Sequence, residues 1–221
     1  MKYVLLDLDG TITDPGVGIT KSVQCALRSK GIFVRELESL YRHIGPPLKT
    51  SFMEFYNFNE EEAEELVSKY REYFKDTGIY ENQVYEGMEE LLKKLRAAGK
   101  KLITATSKPE VFAKKILEHF HLERYFDDIC GATLDESRIA KADVIRYALA
   151  KNGIENLSQV VMVGDREHDV EGARKVGIAA IGVLYGYGSR QELEQAGAMR
   201  LAGTVEELYD VIMDMECSER N

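Results

Sequence analysis

Short runs of apolar residues alternate along most of the chain with longer stretches in which apolar residues recur every three or four positions. A short apolar run bounded by glycine or polar residues is typical of a buried strand, whereas the longer spacing is typical of an amphipathic helix. Because helical stretches separate successive strands, we expect βαβ crossovers and a parallel sheet. The predicted strands cover residues 3–6, 101–106, 129–131, 160–163 and 178–181.

The segment between the first two strands is different, because helical spacing continues there without a strand-like run. Asn59 and Glu62 have the spacing of a capping box, which predicts a helix that begins there and ends by Gly78. The other helices predicted in this segment cover residues 19–30, 35–43 and 48–56.

After residue 84 the alternation of helix and strand resumes. We therefore predict an α/β protein with a Rossmann-like parallel sheet and helices on both faces, formed by residues 1–14 and 84–221. An all-helical cap domain at residues 15–83 is predicted to be inserted into it. The remaining predicted helices cover residues 86–98, 109–121, 141–152, 170–176, 189–196 and 205–215.

Composition and charge narrow the classes of partner. The chain has 221 residues, 44% of them hydrophobic, which is ordinary for a globular protein. Its net charge of −9 disfavours a nucleic acid polymer or an anionic membrane as partner. Three cysteines, Cys25, Cys130 and Cys217, have no paired spacing, and few apolar residues precede Asp7. We therefore expect reduced thiols, no signal peptide and a cytoplasmic location. Nothing in the sequence demands a partner subunit, so we expect a monomer, with a dimer as the alternative.

The first strand ends at Asp7 and Asp9, which are followed by Gly10. Side chains alternate along extended backbone, so Leu8 points away and the two carboxylates share one side of the strand end. Two carboxylates about 4 Å apart repel each other by about 4 kcal/mol at an effective dielectric constant near 20. A proton, a cation or a reaction is needed to offset this repulsion.

Polar residues follow the later strands as well. Thr106 and Ser107 come after the second strand, and a backbone amide near a helix start, such as that of Ser107, suits a phosphate. Lys141 opens a helix, and Asp165 and Asp169 follow the strand at 160–163. Open α/β sheets bind ligands at the carboxyl ends of their strands, so we expect these groups to meet the aspartates of the first strand. Four converging carboxylates need a hard cation, and oxygen ligands suit Mg²⁺.

The order and spacing of these motifs resemble the haloacid dehalogenase superfamily of phosphohydrolases. The insert resembles the cap of its phosphoglycolate phosphatase-like branch, and residues 44–48 and 105–109 are most similar to bacterial 5′-nucleotidase-like members. Two positions depart from the family pattern: Ala142 replaces a frequent proline, and Arg166 replaces a frequent small hydroxyl residue. The four motifs are similar to Asp7-Leu8-Asp9-Gly10-Thr11, to Thr106, to Lys141, and to Gly164-Asp165 with Asp169.

The resemblance implies a mechanism. Asp7 would attack phosphorus to form an aspartyl phosphate, and Asp9 would protonate the leaving oxygen and later deprotonate the attacking water. Thr106 and Lys141 would stabilise the transferring phosphoryl group. The implied Mg²⁺ ligands are Asp7, Asp9 through its backbone carbonyl, Asp165, and Asp169 directly or through water. The implied phosphate-binding residues are Leu8, Thr106, Ser107 and Lys141.

The substrate is expected to be a small phosphorylated metabolite. The resemblance favours a nucleoside 5′-monophosphate over phosphoglycolate. In the predicted cap, Arg42, His43 and Lys49 are candidates for substrate contact, and the alternative is that they are solvated surface groups. Tyr185 and Tyr187, in the loop after the last predicted strand, have the same two interpretations.

The sequence leaves alternatives to a phosphatase. A phosphomutase of the same superfamily is the nearest alternative, and a receiver-type phosphoryl-accepting domain is another, although such a domain lacks an insert of this size. A dinucleotide-binding module is disfavoured, because no Gly-x-Gly-x-x-Gly follows the first strand and its aspartates would repel a pyrophosphate. A calcium loop is disfavoured, because Gly18 stands where that loop needs glutamate.

Overall fold

The computed structural model describes residues 1–135 and 137–217, except for the side chains of residues 216 and 217. The chain divides into two compact units. The core unit consists of Met1–Thr13 and the described residues from Val84 onward, and the insert unit is Asp14–Gln83.

The core unit is built on a sheet of six strands in the order β5-β4-β1-β6-β7-β8, and the residue pairings given by the structure are parallel. Two further strands of two residues each, β2 and β3, form a separate sheet. The strands are β1 Tyr3–Leu6, β2 Thr13–Asp14, β3 Gln83–Val84, β4 Lys101–Pro109, β5 Asp128–Ala132, β6 Val160–Gly164, β7 Ala179–Val183 and β8 Arg200–Ala202.

The register of the central strands determines which side chains meet at one edge of the sheet. Leu6, the last residue of β1, lies opposite Thr104 of β4 and Val163 of β6. Asp7 and Gly164, the next residues along their strands, therefore emerge side by side. Parallel strands end at the same edge of a sheet, so the loops that follow them are brought together there.

Helices cover both faces of this sheet. Leu5 and Leu6 point to opposite faces because side chains alternate along a strand, and both are fully buried. Leu5 packs in a cluster with residues of the helices that follow β5, β6 and β7. The core-unit helices are α4 Met88–Ala97, α5 Glu110–His119, α6 Lys141–Lys151, α7 Glu167–Val176, α8 Arg190–Ala196 and α9 Val205–Cys217, with short 3₁₀ turns at Glu123–Tyr125 and Leu157–Gln159.

The regular structure of the insert unit is helical, apart from Asp14 and Gln83 at its two ends, which belong to β2 and β3. Asn59 and Glu62 form the predicted capping box: the Asn59 side chain accepts the Glu62 amide at 3.0 Å, and the Glu62 carboxylate accepts the Asn59 amide at 3.1 Å. The insert-unit helices are α1 Gly16–Ser29, α2 Leu48–Tyr56 and α3 Glu60–Tyr73, with a 3₁₀ segment at Leu37–His43 and a π-helical turn at Phe74–Gly78.

Several element boundaries differ from the sequence-based expectations. The strand predicted at 101–106 continues to Pro109, with a shift of register against β5 between Thr106 and Pro109. Pro109 is consequently the N-cap of α5 and not a residue of its first turn. The segment predicted as a helix at 35–43 is a 3₁₀ helix, Leu37–His43. Strand β8 was not predicted, because its three residues Arg200–Ala202 carry little apolar signal.

Among the described residues, no helix combines the length and apolar character needed to cross a membrane. Cys25 and Cys130 are free thiols. The Cys217 side chain, for which a reduced thiol is also predicted, lies outside the described part of the chain.

Candidate active site

Asp7 is held at the carboxyl end of β1 by backbone and side-chain hydrogen bonds. Its amide continues the ladder to β6 by donating to the Val163 carbonyl at 2.9 Å. The Leu8 amide donates to Asp7 Oδ1 at 2.8 Å. The Asp7 side chain is buried, with 6% of the residue exposed. The orientation of this carboxylate is therefore set by the turn that follows the strand.

Three buried carboxylates converge at this edge of the sheet. One oxygen each of Asp7, Asp165 and Asp169 lies within 4.8 Å of the other two. Asp165 follows β6, and its Oδ2 accepts the Tyr187 amide at 2.8 Å. Asp169 lies in the first turn of α7, where its Oδ2 accepts the Arg166 amide at 3.1 Å.

Lys141, the first residue of α6, places its ammonium between two of these carboxylates. Its Nζ lies 3.0 Å from Asp7 Oδ1 and 2.7 Å from Asp169 Oδ1. The same ammonium donates to the Ala105 carbonyl of β4 at 3.1 Å. One buried cation thus contacts two of the three carboxylates and ties them to the neighbouring strand.

The titration of the cluster reflects burial and a shortage of positive charge. Burial, reinforced by the charges of Asp169 and Asp7, raises the pKa of Asp165 well above its usual range. Burial also raises the pKa of Asp169 to about 6, although Lys141 opposes the shift. For Lys141, burial acts to lower the pKa, but the carboxylates of Asp169 and Asp7 outweigh it and the pKa is raised. Three buried carboxylate oxygens with too little positive charge around them fit a small, hard cation such as Mg²⁺.

Asp9 has different surroundings from this cluster. Its Oδ2 lies 2.5 Å from the Lys108 ammonium. Its Oδ1 is buried and has no hydrogen-bond partner among the described residues. Burial raises the pKa of Asp9, and the charge and hydrogen bond of Lys108 oppose this without cancelling it. The two oxygens of one carboxylate are therefore chemically distinct.

The remaining predicted phosphate-binding groups lie on β4 and in the turn that follows β1. Thr106 is buried within β4, and its hydroxyl accepts the Lys108 amide at 3.2 Å. The expectation that Thr106 ends its strand was wrong, because β4 continues to Pro109. Ser107 is half-buried. The Leu8 amide donates its hydrogen bond to the Asp7 carboxylate.

Two glycines allow close packing around Asp165. Gly10 has a φ of +80°, and a Cβ there would lie 2.2 Å from Asp165 Oδ2. A Cβ at Gly186 would lie 2.3 Å from the Gly10 carbonyl oxygen and 2.4 Å from Asp165 Cβ. The loop after β7 thus packs directly on the turn after β1, and the Tyr185 hydroxyl donates to the Thr11 carbonyl at 3.1 Å.

Sequence reasoning missed Lys108 and the role of the Tyr187 amide. A lysine in a strand carries no signal of an ion pair with an aspartate 99 residues away, and a main-chain amide leaves no trace in residue identity. The glycines at 186 and 188 were the available signal, because they flank Tyr187 in the loop that follows a buried strand.

The three predicted substrate residues of the insert unit have distinct surroundings. The Arg42 guanidinium lies 4.5 Å from the Phe55 ring centroid. Lys49 forms ion pairs of 2.6 and 2.7 Å with Glu60 and Glu64. His43 is buried, with 1% exposed, and is therefore not a solvated surface group.

The chain is similar to known proteins in both sequence and fold. A family model described as "Haloacid dehalogenase-like hydrolase" matches residues 4–183. A 5′-nucleotidase of Pseudomonas aeruginosa is 49% identical over 190 residues, which is 86% of each chain. The tyrosine-protein kinase PtkA of Mycobacterium tuberculosis is 38% identical over 214 residues, 96% of this chain and 72% of that protein. The crystal structure of a predicted phosphatase from Clostridium acetobutylicum has a TM-score of 0.94 and 52% identity, covering 96% of this chain and 98% of that one.

Proposed function

We propose that this chain, which belongs to the haloacid dehalogenase-like hydrolase family and is a phosphatase, hydrolyses small phosphomonoesters through an aspartyl-phosphate intermediate with Mg²⁺ as cofactor. The observation that carries this proposal is the convergence of three buried carboxylates beside one ammonium. The substrate class we favour is the nucleoside 5′-monophosphates, because the relative with 49% identity is named a 5′-nucleotidase. Phosphoglycolate is the second candidate.

In the proposed reaction Asp7 is the nucleophile. A carboxylate oxygen of Asp7 forms a bond to phosphorus while the bond to the leaving oxygen breaks, and Asp9 gives that oxygen a proton. Asp9 then takes a proton from the water that hydrolyses the aspartyl phosphate. The contacts of Asp7 Oδ1 with the Leu8 amide and Lys141 hold the nucleophile in one orientation.

Positive charge and fixed donors would stabilise the transferring phosphoryl group. Lys141 is the buried cation beside Asp7, and Thr106 with the Ser107 amide lies on the adjacent strand. Asp7, Asp165 and Asp169 would hold Mg²⁺, which when bound supplies the positive charge that these carboxylates and a phosphate dianion require. We also propose a cytoplasmic location, on the ground of the cysteine pattern alone.

The direct test is phosphate release from p-nitrophenyl phosphate and from a panel of phosphorylated metabolites. We expect Asp7→Asn to lower kcat by at least about a thousandfold, because the amide is not a nucleophile. Asp210→Asn, which neutralises an exposed aspartate of α9, is the matched control and should keep wild-type activity. EDTA should abolish turnover, and added Mg²⁺ should restore it. Full activity of Asp7→Asn, or activity after complete chelation, would contradict the proposal.

The same experiment separates the alternatives. A phosphomutase would move phosphate between two positions of a substrate without releasing it. A tyrosine-protein kinase, as the mycobacterial relative is named, would move the γ-phosphate of ATP to a tyrosine side chain, so the phosphate would appear on protein and not in solution. Multiple turnovers of free phosphate support the hydrolase over both.

Within the insert unit we propose Arg42 as the substrate contact. Arg42 is an exposed residue, whereas His43 is buried and Lys49 is engaged by two glutamates. We expect Arg42→Met to raise KM for a nucleoside 5′-monophosphate while leaving p-nitrophenyl phosphate nearly unaffected. Equal KM values for the variant and the wild type on both substrates would refute this assignment.

A further inference from the structure

Lys108 forms a buried ion pair with Asp9, and the family motifs assign it no role in the site. Lys108 Nζ lies 2.5 Å from Asp9 Oδ2, and the two side chains are 5% and 13% exposed. Lysine side chains are almost never buried unless they are paired. The ion pair thus joins β4 to the turn that follows β1, beside the proposed nucleophile.

The backbone at Lys108 is fixed on two sides. Its amide donates to the Thr106 hydroxyl at 3.2 Å, within the segment where β4 shifts register against β5. A Cβ at Gly131 of β5 would lie 2.6 Å from the Lys108 carbonyl oxygen, so the absence of a side chain there permits the close approach. Because this backbone is fixed, the Lys108 side chain starts from a fixed position, which limits where its ammonium can lie.

The contact makes the two oxygens of Asp9 inequivalent. Lys108 engages Oδ2, while Oδ1 is buried without a hydrogen-bond partner among the described residues. The torsion that rotates a carboxylate about its Cβ–Cγ bond is broad and nearly two-fold when nothing restrains it. An ion pair to one oxygen removes that freedom and leaves the other oxygen in one place.

We propose that Lys108 is a positioning residue that fixes Asp9 so that Oδ1 exchanges the proton with the leaving oxygen. This inference rests on the proposed function. In the step concerned, an Asp7 oxygen bonds to phosphorus, the bond from phosphorus to the leaving oxygen breaks with its electron pair on that oxygen, and the proton on Asp9 Oδ1 moves to it. Lys108 keeps its own protons and acts through its contact with Oδ2.

The leaving group provides the test. A p-nitrophenolate ion departs without a proton, whereas phenol or a nucleoside requires one, so only the latter depend on the orientation of Asp9. We expect Lys108→Met to lower kcat/KM for phenyl phosphate and for adenosine 5′-monophosphate by roughly 10- to 100-fold, the range expected when a general acid is misplaced. For p-nitrophenyl phosphate we expect kcat/KM to fall by less than about threefold, because p-nitrophenolate leaves without a proton and gains little from a general acid.

Two variants are controls. The measured quantity is the ratio of kcat/KM for phenyl phosphate to kcat/KM for p-nitrophenyl phosphate. Lys108→Arg keeps a cation and should keep this ratio within about threefold of the wild-type ratio, since general-acid positioning is retained. Lys100→Met removes another buried lysine of the core unit, whose ammonium donates to the Met1 carbonyl at 2.7 Å at the amino end of the sheet. It should leave the ratio unchanged. Because the ratio is measured on one preparation, it does not depend on the folded fraction.

The outcomes are distinguishable. A selective loss on the esters that need a proton, with rescue by arginine, supports the positioning role. Equal losses on both esters, or a rise in KM alone, would overturn it and indicate general damage or direct substrate binding. If Lys108→Met does not fold, Lys108→Gln is measured in the same way. Failure of the wild type to hydrolyse any of the esters would refute the proposed function itself.

Discussion

Acidification should destabilise the insert unit through His43. The Ser51 hydroxyl donates to the Leu48 carbonyl at 2.9 Å, so its lone pair must accept the hydrogen on His43 Nδ1, 2.8 Å away. This network assigns the neutral tautomer with an unprotonated Nε2. That nitrogen is buried and has no hydrogen-bond partner among the described residues. A second proton would therefore place a buried charge where no acceptor receives it.

The size of the effect follows from the difference in pKa between the folded and unfolded states. Burial, and secondarily the charge of Arg42, lowers the pKa of His43 from 6.5 to about 4. As the pH falls below the unfolded value, the unfolded chain takes up a proton before the folded one does, so stability is complete above about pH 6.5 and is lost towards pH 4. At 1.36 kcal/mol per pKa unit, the full loss is about 3 kcal/mol, and about 2 kcal/mol is reached by pH 5.

Hydrogen exchange in peptides from α1 to α3 would measure this, because it reports opening of the insert unit. After correction for the chemical exchange rate, we expect wild-type protection to fall between pH 7.5 and pH 5 by roughly 30-fold more than that of His43→Gln. His121→Asn, which removes an exposed imidazole of the core unit, should behave as the wild type does. The reasoning is refuted if wild type and His43→Gln lose protection equally, or if the His43 ring titrates near pH 6.5 in the folded protein.

Other substitutions test single contacts. Tyr185→Phe removes the hydroxyl that donates to the Thr11 carbonyl and should cost about 1 kcal/mol in urea unfolding; a change within error would mean that this contact contributes nothing. Asn59→Ala removes the cap of α3 and should cost about 1 kcal/mol, with Asn59→Ser restoring most of it, and failure of the serine to restore stability would point to another cause. Phe33→Ser replaces a side chain that is 76% exposed, so the free energy of unfolding should change by less than about 0.5 kcal/mol, and a larger loss would show that the ring packs in solution.

The sequence was most informative where a single physical signal dominated. The apolar run of β6 is fully buried, and Asn59 caps α3 as its spacing predicts. The strand-end argument also predicted that Asp7 would meet Asp165, since both follow strands of one parallel sheet, which end at the same edge. Those features depend on local pattern or on the general topology of α/β sheets.

Features set by tertiary contacts could not be predicted in the same way. Ser107, Lys108 and Pro109 are poor strand formers, so β4 was predicted to end early, whereas pairing with β5 resumes at Pro109 after the register shift. The surroundings of His43 depend on four residues of α2 and on burial, and no local pattern encodes them. The ion pair of Lys108 is likewise a property of the folded chain.

The tight packing of glycines on the carboxylates has a consequence for how this enzyme can vary. At Gly164, Gly186 and Gly188 an added Cβ would lie 1.9 to 2.4 Å from an aspartate atom or a neighbouring main-chain oxygen, whereas at Gly31 nothing lies within 4 Å. Any single-nucleotide change in a glycine codon that encodes another residue introduces a Cβ. In a saturation library selected for turnover, we thus expect only glycine to survive at the first three positions. Gly31 should accept asparagine, which tolerates its φ of +76°.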